Sequence, residues 1–163
     1  MEQDVLVLIF EHNNWANRRM IKACAALSDD QLDVEPQTAT KGSIRATLIH
    51  LVNAQSGYLS LLTEPMEART RANPSFDDLE KAAQASGEGL LALMKGRTGE
   101  GSTARLRTAD GYWVEPWVVM VQIIDHASEH REQISSMLTE LGVTPPDLDG
   151  WSYGQVTGAL TAA

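Results

Sequence analysis

The stretch PWVVMVQIIDHASEHREQISSMLTEL, residues 116–141, decides the fold. Met120, Ile123, Ile124, Ala127, Ile134, Met137, Leu138 and Leu141 recur in it at mostly three- and four-residue spacing, which lines them along one face of a helix. Pro116 suits a first helical position, and Gly142 followed by Pro145 and Pro146 supplies the stop. A long helix with a single apolar stripe must bury that stripe against other elements, so the rest of the chain has to provide them.

Three more segments read as helices of the same kind, and none alternates convincingly enough to build a sheet. The first is expected from about Asp4 to Leu27, with Val5, Leu8, Ile9, Trp15, Ala16, Met20, Ala23 and Leu27 on its stripe and His12 in the middle. Ser28 and Gln31 then form a candidate capping box for a short helical turn. The second helix follows the polar run DVEPQTATKG with Ser43 as N-cap, and buries Ile44, Leu48, Leu51, Tyr58 and Leu62. The third is announced by NPSFDDLE, where Ser75 followed by Asp78 resembles a capping arrangement. It runs through Leu79, Ala83, Leu90 and Leu93 to about Lys95. Gly87 and Gly89 inside it each cost on the order of 1 kcal/mol of helix stability relative to alanine. A long connection precedes the fourth helix, and RLRTADGYWV within it is a candidate hairpin turning at Asp110-Gly111. After the fourth helix, Trp151 and Tyr153 are expected to dock back on the body. Four amphipathic helices without a sheet predict an all-α four-helix bundle forming a single domain over residues 1–163.

Composition narrows the function. The 163 residues suffice for a core without disulfide staples, and 43% hydrophobic with 21% charged residues is ordinary for a globular chain. The single cysteine, Cys24, excludes an intramolecular disulfide and a four-thiolate zinc site, and fits a reducing compartment. The opening Glu2, Gln3 and Asp4 lack the basic-then-apolar order of a secretory leader, and no apolar run is long enough for a membrane span. The expectation is a cytoplasmic protein. A formal charge of −9 argues against nucleic acid and acidic membrane surfaces as partners; Arg97, Arg105 and Arg107 are too sparse to form a basic patch.

The chemistry, if any, lies in the histidines, of which there are four. His126 and His130 are one helical turn apart, so both can reach one ion through neutral imidazole nitrogens. The same spacing is also compatible with a solvated polar face, since Asp125, Glu129, Arg131 and Glu132 surround the pair. His50 occupies a similar flank position in the second helix, where the bland reading is a satisfied interior histidine. Together the three would make a three-nitrogen site open on one side, as catalytic zinc sites are. A protease of the HExxH type is excluded, because Ala127 stands where that chemistry needs a glutamate.

Four stretches in order carry a family resemblance: EHNNWANRRM in the first helix, GSIRATLIHLVNAQ leading into the second, HASEHREQI in the fourth and LGVTPPDLDGWSY after it. With these the chain resembles the DinB-like metal-binding helical-bundle family, over nearly its whole length. The resemblance implies an up-down-down-up bundle, often a homodimer. It implies His50, His126 and His130 as ligands of a divalent metal, commonly zinc (Zn2+) or nickel (Ni2+). It also implies a small-molecule substrate, with a low-molecular-weight thiol as partner in some relatives. The family often has glycine after its His-Arg pair, where this chain has Glu132, so the resemblance stops short of a subfamily. Two functions follow: a metal-dependent transferase or hydrolase, or a non-catalytic metal-binding bundle with a stress-response role.

Other residues have plainer expected roles. His12 is expected to hold a neighbour by a hydrogen bond, with entry into the metal site as the alternative. Trp15 is expected in the core, Asn17 bonding across helices, Asp125 and Glu129 in solvent, and Cys24 as a buried small apolar residue. Arg131 is expected in a salt bridge with a helix glutamate, with a substrate carboxylate as the alternative partner. Tyr112, Trp113 and Trp117 would form either a pocket mouth or a packing cluster.

Overall fold

The computed structural model describes residues 4–36, 42–96 and 104–162, so Arg97 and parts of both long connections lie outside the described residues. Helix α1 spans Val5–Cys24, and the Asp4 carboxylate caps it by accepting from the Leu6 N–H at 2.9 Å. The short α2, Asp29–Asp33, opens on the expected capping box between Ser28 and Gln31. Helix α3 covers Ile44–Thr63, with the Ser43 hydroxyl accepting from the Ala46 N–H. Helix α4, Leu79–Lys95, begins later than its capping signal suggests. Ser75 donates to the Asp78 carboxylate at 2.7 Å instead of capping the backbone, and a 3-10 turn at Phe76–Asp78 precedes the helix. The hairpin forms from β1, Leu106–Arg107, and β2, Trp113–Val114, antiparallel with Leu106 opposite Val114. Helix α5, Pro116–Glu140, has its proline at the first turn, and Gly142 beyond it takes φ +71. A further helix, α6, Gly150–Thr157, is capped by Asp149.

The four long helices form a ring in the order α1, α4, α3, α5. Their directions follow from two apolar clusters at opposite ends. One joins the C-terminal half of α1 (Met20, Cys24) and the N-terminal parts of α3 (Leu48, Leu51, Val52) and α4 (Leu79, Ala83) to the C-terminal half of α5 (Ile134, Leu138). The other joins Phe10 of α1, Leu90 and Met94 of α4, and Val119 and Ile123 of α5, with Tyr58 and Leu62 of α3 against them. Helices α1 and α5 therefore run one way and α3 and α4 the other, which is the up-down-down-up bundle.

Between the clusters lies a buried polar layer. Asn13 and Asn17 from α1, Gln55 from α3, Ser86 from α4 and Arg131 from α5 are all buried. Asn17 donates to the Gln55 side chain at 2.8 Å, and Gln55 donates in turn to Ser86 Oγ at 2.8 Å and the Ala83 carbonyl at 3.1 Å. The two helix-interior glycines are close-approach positions. A Cβ on Gly87 would lie 2.5 Å from Asn14 Oδ1 of α1, and one on Gly89 would lie 2.5 Å from Leu59 Cδ2 of α3. Their propensity cost accompanies tight packing of α4 against both neighbours.

The tail corrects one expectation. Tyr153 docks on His12 and Trp15, with ring centroids 5.5 and 5.2 Å away, but Trp151 is 73% exposed. Tyr112, Trp113 and Trp117 are also largely exposed, which removes the packing-cluster reading; the Trp117 indole donates to Glu115 at 3.1 Å. Among the described residues no helix is long and apolar enough to cross a membrane.

Candidate metal centre

The antiparallel pairing of α3 with α5 sets the early turns of one against the later turns of the other. His50, two turns into α3, thereby meets His126 and His130 on α5. His130 is buried, at 2% exposure, while His50 and His126 are half-buried. His126 Nε2 lies 3.0 Å from His50 Nε2 and 3.1 Å from His130 Nε2. The rings meet edge to face rather than stacking, at 82° for His126 with His130 and 87° for His50 with His130. One nitrogen from each lies within 4.8 Å of the others.

This geometry suits a shared cation. An imidazole nitrogen carries either one in-plane lone pair or one N–H, so His126 Nε2 cannot make two good hydrogen bonds to two other ring nitrogens at once. A metal–nitrogen bond of about 2.0–2.1 Å places donors about 2.9 Å apart at right angles and about 3.3 Å apart in a tetrahedron. The observed 3.0 and 3.1 Å fall between the two. His130 is already oriented for such a role. Its Nδ1 is 2.8 Å from Gln133 Oε1, and an amide oxygen only accepts, so Nδ1 carries the proton and Nε2 presents its lone pair. The three histidines could hold a metal ion.

His12 does not join them. Its Nε2 donates to the Leu148 carbonyl at 2.8 Å, which ties the segment before α6 to α1. Asp125 and Glu129 are exposed, as a solvated face requires. Cys24 is fully buried beside Met20, and burial pushes its thiol up to about 12, which removes it as a nucleophile near neutral pH.

Arg131 departs from its expected salt bridge, and none of the ion pairs among the described residues involves it. Its guanidinium is buried and donates to Asn13 Oδ1 at 2.8 Å, Asn17 Oδ1 at 2.6 Å and Ser128 Oγ at 3.0 Å. Burial lowers its pKa to about 10, partly offset by the Glu132 charge. Asn13 and Asn17, four residues apart on the α1 stripe, were the sequence signal for this layer.

His50 and His126 form part of the wall of a cleft of about 610 Å³. Tyr58, Arg69, Arg71 and Asp110 also line it, with the Tyr58 ring 5.8 Å from His126 and edge-on to it. Arg69 donates to the backbone carbonyls of Glu64 and Arg107, which fastens the hairpin over this cleft. None of these lining residues shares a spacing with the histidines that the sequence alone would reveal, apart from Tyr58, which lies two helical turns beyond His50.

The architecture recurs in solved structures. A DinB-like protein from Bacillus cereus superposes with a TM-score of 0.67 at 19% identity, over 87% of this chain and 94% of that one. A DinB-like protein from Bacillus subtilis gives 0.67 at 15% identity, over 90% and 99%. Identities this low establish the shared fold alone. No curated protein matches the sequence. The family model described as DinB family matches residues 1–160, nearly the whole chain. The chain belongs to the DinB family.

Proposed function

We propose that this protein is a metal-dependent transferase or hydrolase acting on a small molecule, with His50, His126 and His130 as the ligands of a Zn2+ or Ni2+ ion. The observation that carries the reading is that three imidazole nitrogens lie within 4.8 Å of one another beside a cleft of about 610 Å³, a volume in the range of small-molecule sites. Imidazole suits both metals. When bound, such an ion acts as a Lewis acid that lowers the pKa of a thiol or water.

The protein's own residues supply the rest. His130, buried and fixed by Gln133, gives the site its rigid corner. His50 and His126 sit half-exposed at the cleft wall, so the open side of the triad faces the space where a substrate enters. All three ligands are neutral, so the ion's charge stays available to a bound anion. A low-molecular-weight thiol as co-substrate, and a homodimer as the working form, are carried by the resemblance of the four sequence motifs.

Metal analysis of tag-free protein tests the first step, with near-stoichiometric zinc or nickel expected and lost in His126→Ala. Absence of metal after resupply would sink it. Metal-loaded protein is then assayed with glutathione, bacillithiol, mycothiol or coenzyme A and an electrophile, and with simple esters and amides. Metal without turnover on any of these would assign the chain as a non-catalytic metal-binding bundle. Sedimentation equilibrium reads the oligomeric state.

A further inference from the structure

One exposed cation lining the cleft, Arg71, is held in place through its neighbours and pairs with no acidic group among the described residues. Arg71 follows α3 in the connection to α4, and the backbone on either side of it is fixed to α3. The Thr70 N–H donates to Ser60 Oγ at 3.0 Å, and the Ala72 N–H donates to Ser56 Oγ at 2.8 Å. These serines are one helical turn apart, so they grip the residues flanking Arg71 and aim its side chain along the helix. The side chain lies across Gly57, where a Cβ would come within 3.1 Å of Arg71 Nε and 3.2 Å of its Cγ. A glycine in mid-helix thus provides the groove in which the arginine rests.

Among the described residues no hydrogen bond or ion pair engages the Arg71 guanidinium. Arg69, two residues away, differs in this respect, because its donors are taken by backbone carbonyls. Among the described residues Asp110, on the hairpin turn, is the one acidic side chain lining the same cleft, against Arg69 and Arg71. On a chain of net charge −9, this cleft is locally positive.

We propose that Arg71 is the anion anchor of this cleft, and that its substrate is a small organic anion. The reacting group lies at the histidine triad, and a carboxylate or phosphate at the far end pairs with the Arg71 guanidinium. The proposal rests on the triad being the reaction centre, and it deepens that reading by naming the substrate class. The fit has a length. Gly57 is seven residues beyond His50 on α3, which at 1.5 Å rise per residue separates them by about 10 Å. Arginine's planar fork favours bidentate pairing with either anion.

Isothermal titration with α,ω-dicarboxylates from succinate to sebacate, on zinc-loaded protein, tests this. The longer diacids are expected to bind, and Arg71→Met weakens them about tenfold, the effect of losing one charge-assisted pair. The half-methyl esters report the pairing directly: those bound with the ester at the distal end are insensitive to Arg71→Met. Arg71→Lys restores part of the diacid affinity. A terminal phosphonate binding more tightly than the carboxylate, and still sensitive to Arg71→Met, supports the anchor and assigns its anion as phosphate. No loss of diacid affinity in Arg71→Met, or no measurable binding of any diacid, would overturn it. The same comparison on metal-free His126→Ala protein separates the two ideas. A persisting Arg71 effect there supports the anchor even when the zinc reading fails, whereas zinc binding with no Arg71 effect in either protein refutes the anchor alone.

Discussion

Replacing Gln133 with leucine should weaken metal binding without touching a ligand. The Gln133 amide oxygen accepts from His130 Nδ1 at 2.8 Å, and His130 is the most buried of the three histidines. That bond keeps the proton on Nδ1 and the Nε2 lone pair directed at the triad. Without it the ring can carry its proton on Nε2, which cannot coordinate, or turn away from His126. A single neutral hydrogen bond is worth about 1 kcal/mol net, or about fivefold in affinity. The ordering of a ligand raises such losses to about 10–100-fold in metal sites. The expected loss for Gln133→Leu is therefore about tenfold, measured by competition with a chromophoric chelator. Glu132→Gln, an exposed neighbour, is the control and should leave affinity unchanged. Gln133→Glu keeps an acceptor at the same place and should restore affinity. Wild-type affinity in Gln133→Leu would refute the reasoning, and so would a loss as large as that of His130→Ala.

Further expectations concern stability and the tail. Asn17→Leu leaves the buried Arg131 guanidinium short of one acceptor and Gln55 without its donor, at a cost of about 2–4 kcal/mol in chemical denaturation; a change below 1 kcal/mol would contradict the polar layer's role. The Cys24 thiol is raised from 9.0 to about 12 in the folded chain, so the unfolded state releases its proton first. Its contribution is whole below pH 9 and falls by about 1.4 kcal/mol per pH unit above that, until the folded thiol titrates near 12. Between pH 8 and 10, Cys24→Ala should lose stability less steeply than wild type, and parallel slopes would refute this. His12→Ala removes the bond to the Leu148 carbonyl and should expose the last turn of the chain to limited proteolysis while leaving metal stoichiometry unchanged. Loss of metal in that variant would place His12 in the site after all.

The long elements were legible because apolar periodicity and capping residues are local properties. Asp4, Ser43, Pro116 and Gly142 mark the helix ends where the backbone itself needs a partner or a turn. The triad was legible in part: His126 and His130 share a helix, so spacing alone joins them, but His50 joins only through the pairing of α3 with α5. Arg131 was misread because a charged residue on an amphipathic helix is assumed to face outward, whereas here two asparagines on another helix make its burial possible. Trp151 was misread for the converse reason, since aromatic character favours burial but only α6's docking angle decides which of its faces turns inward. Arg71 gave no signal at all. Its placement depends on Ser56, Ser60 and Gly57, none of which has a distinctive pattern until the connection folds back on α3.

Arg131 and His130 are consecutive, so they leave α5 about 100° apart around its axis. Asn13 and Asn17 seize Arg131 from the α1 side. That grip fixes the rotation of α5 and turns His130 toward α3, where His50 stands. A centre built by two helices is thus aimed by a third that contributes no ligand to it. Sequence drift on α1, far from the cleft in chemical terms, would swing the imidazoles off their common point before any histidine changed.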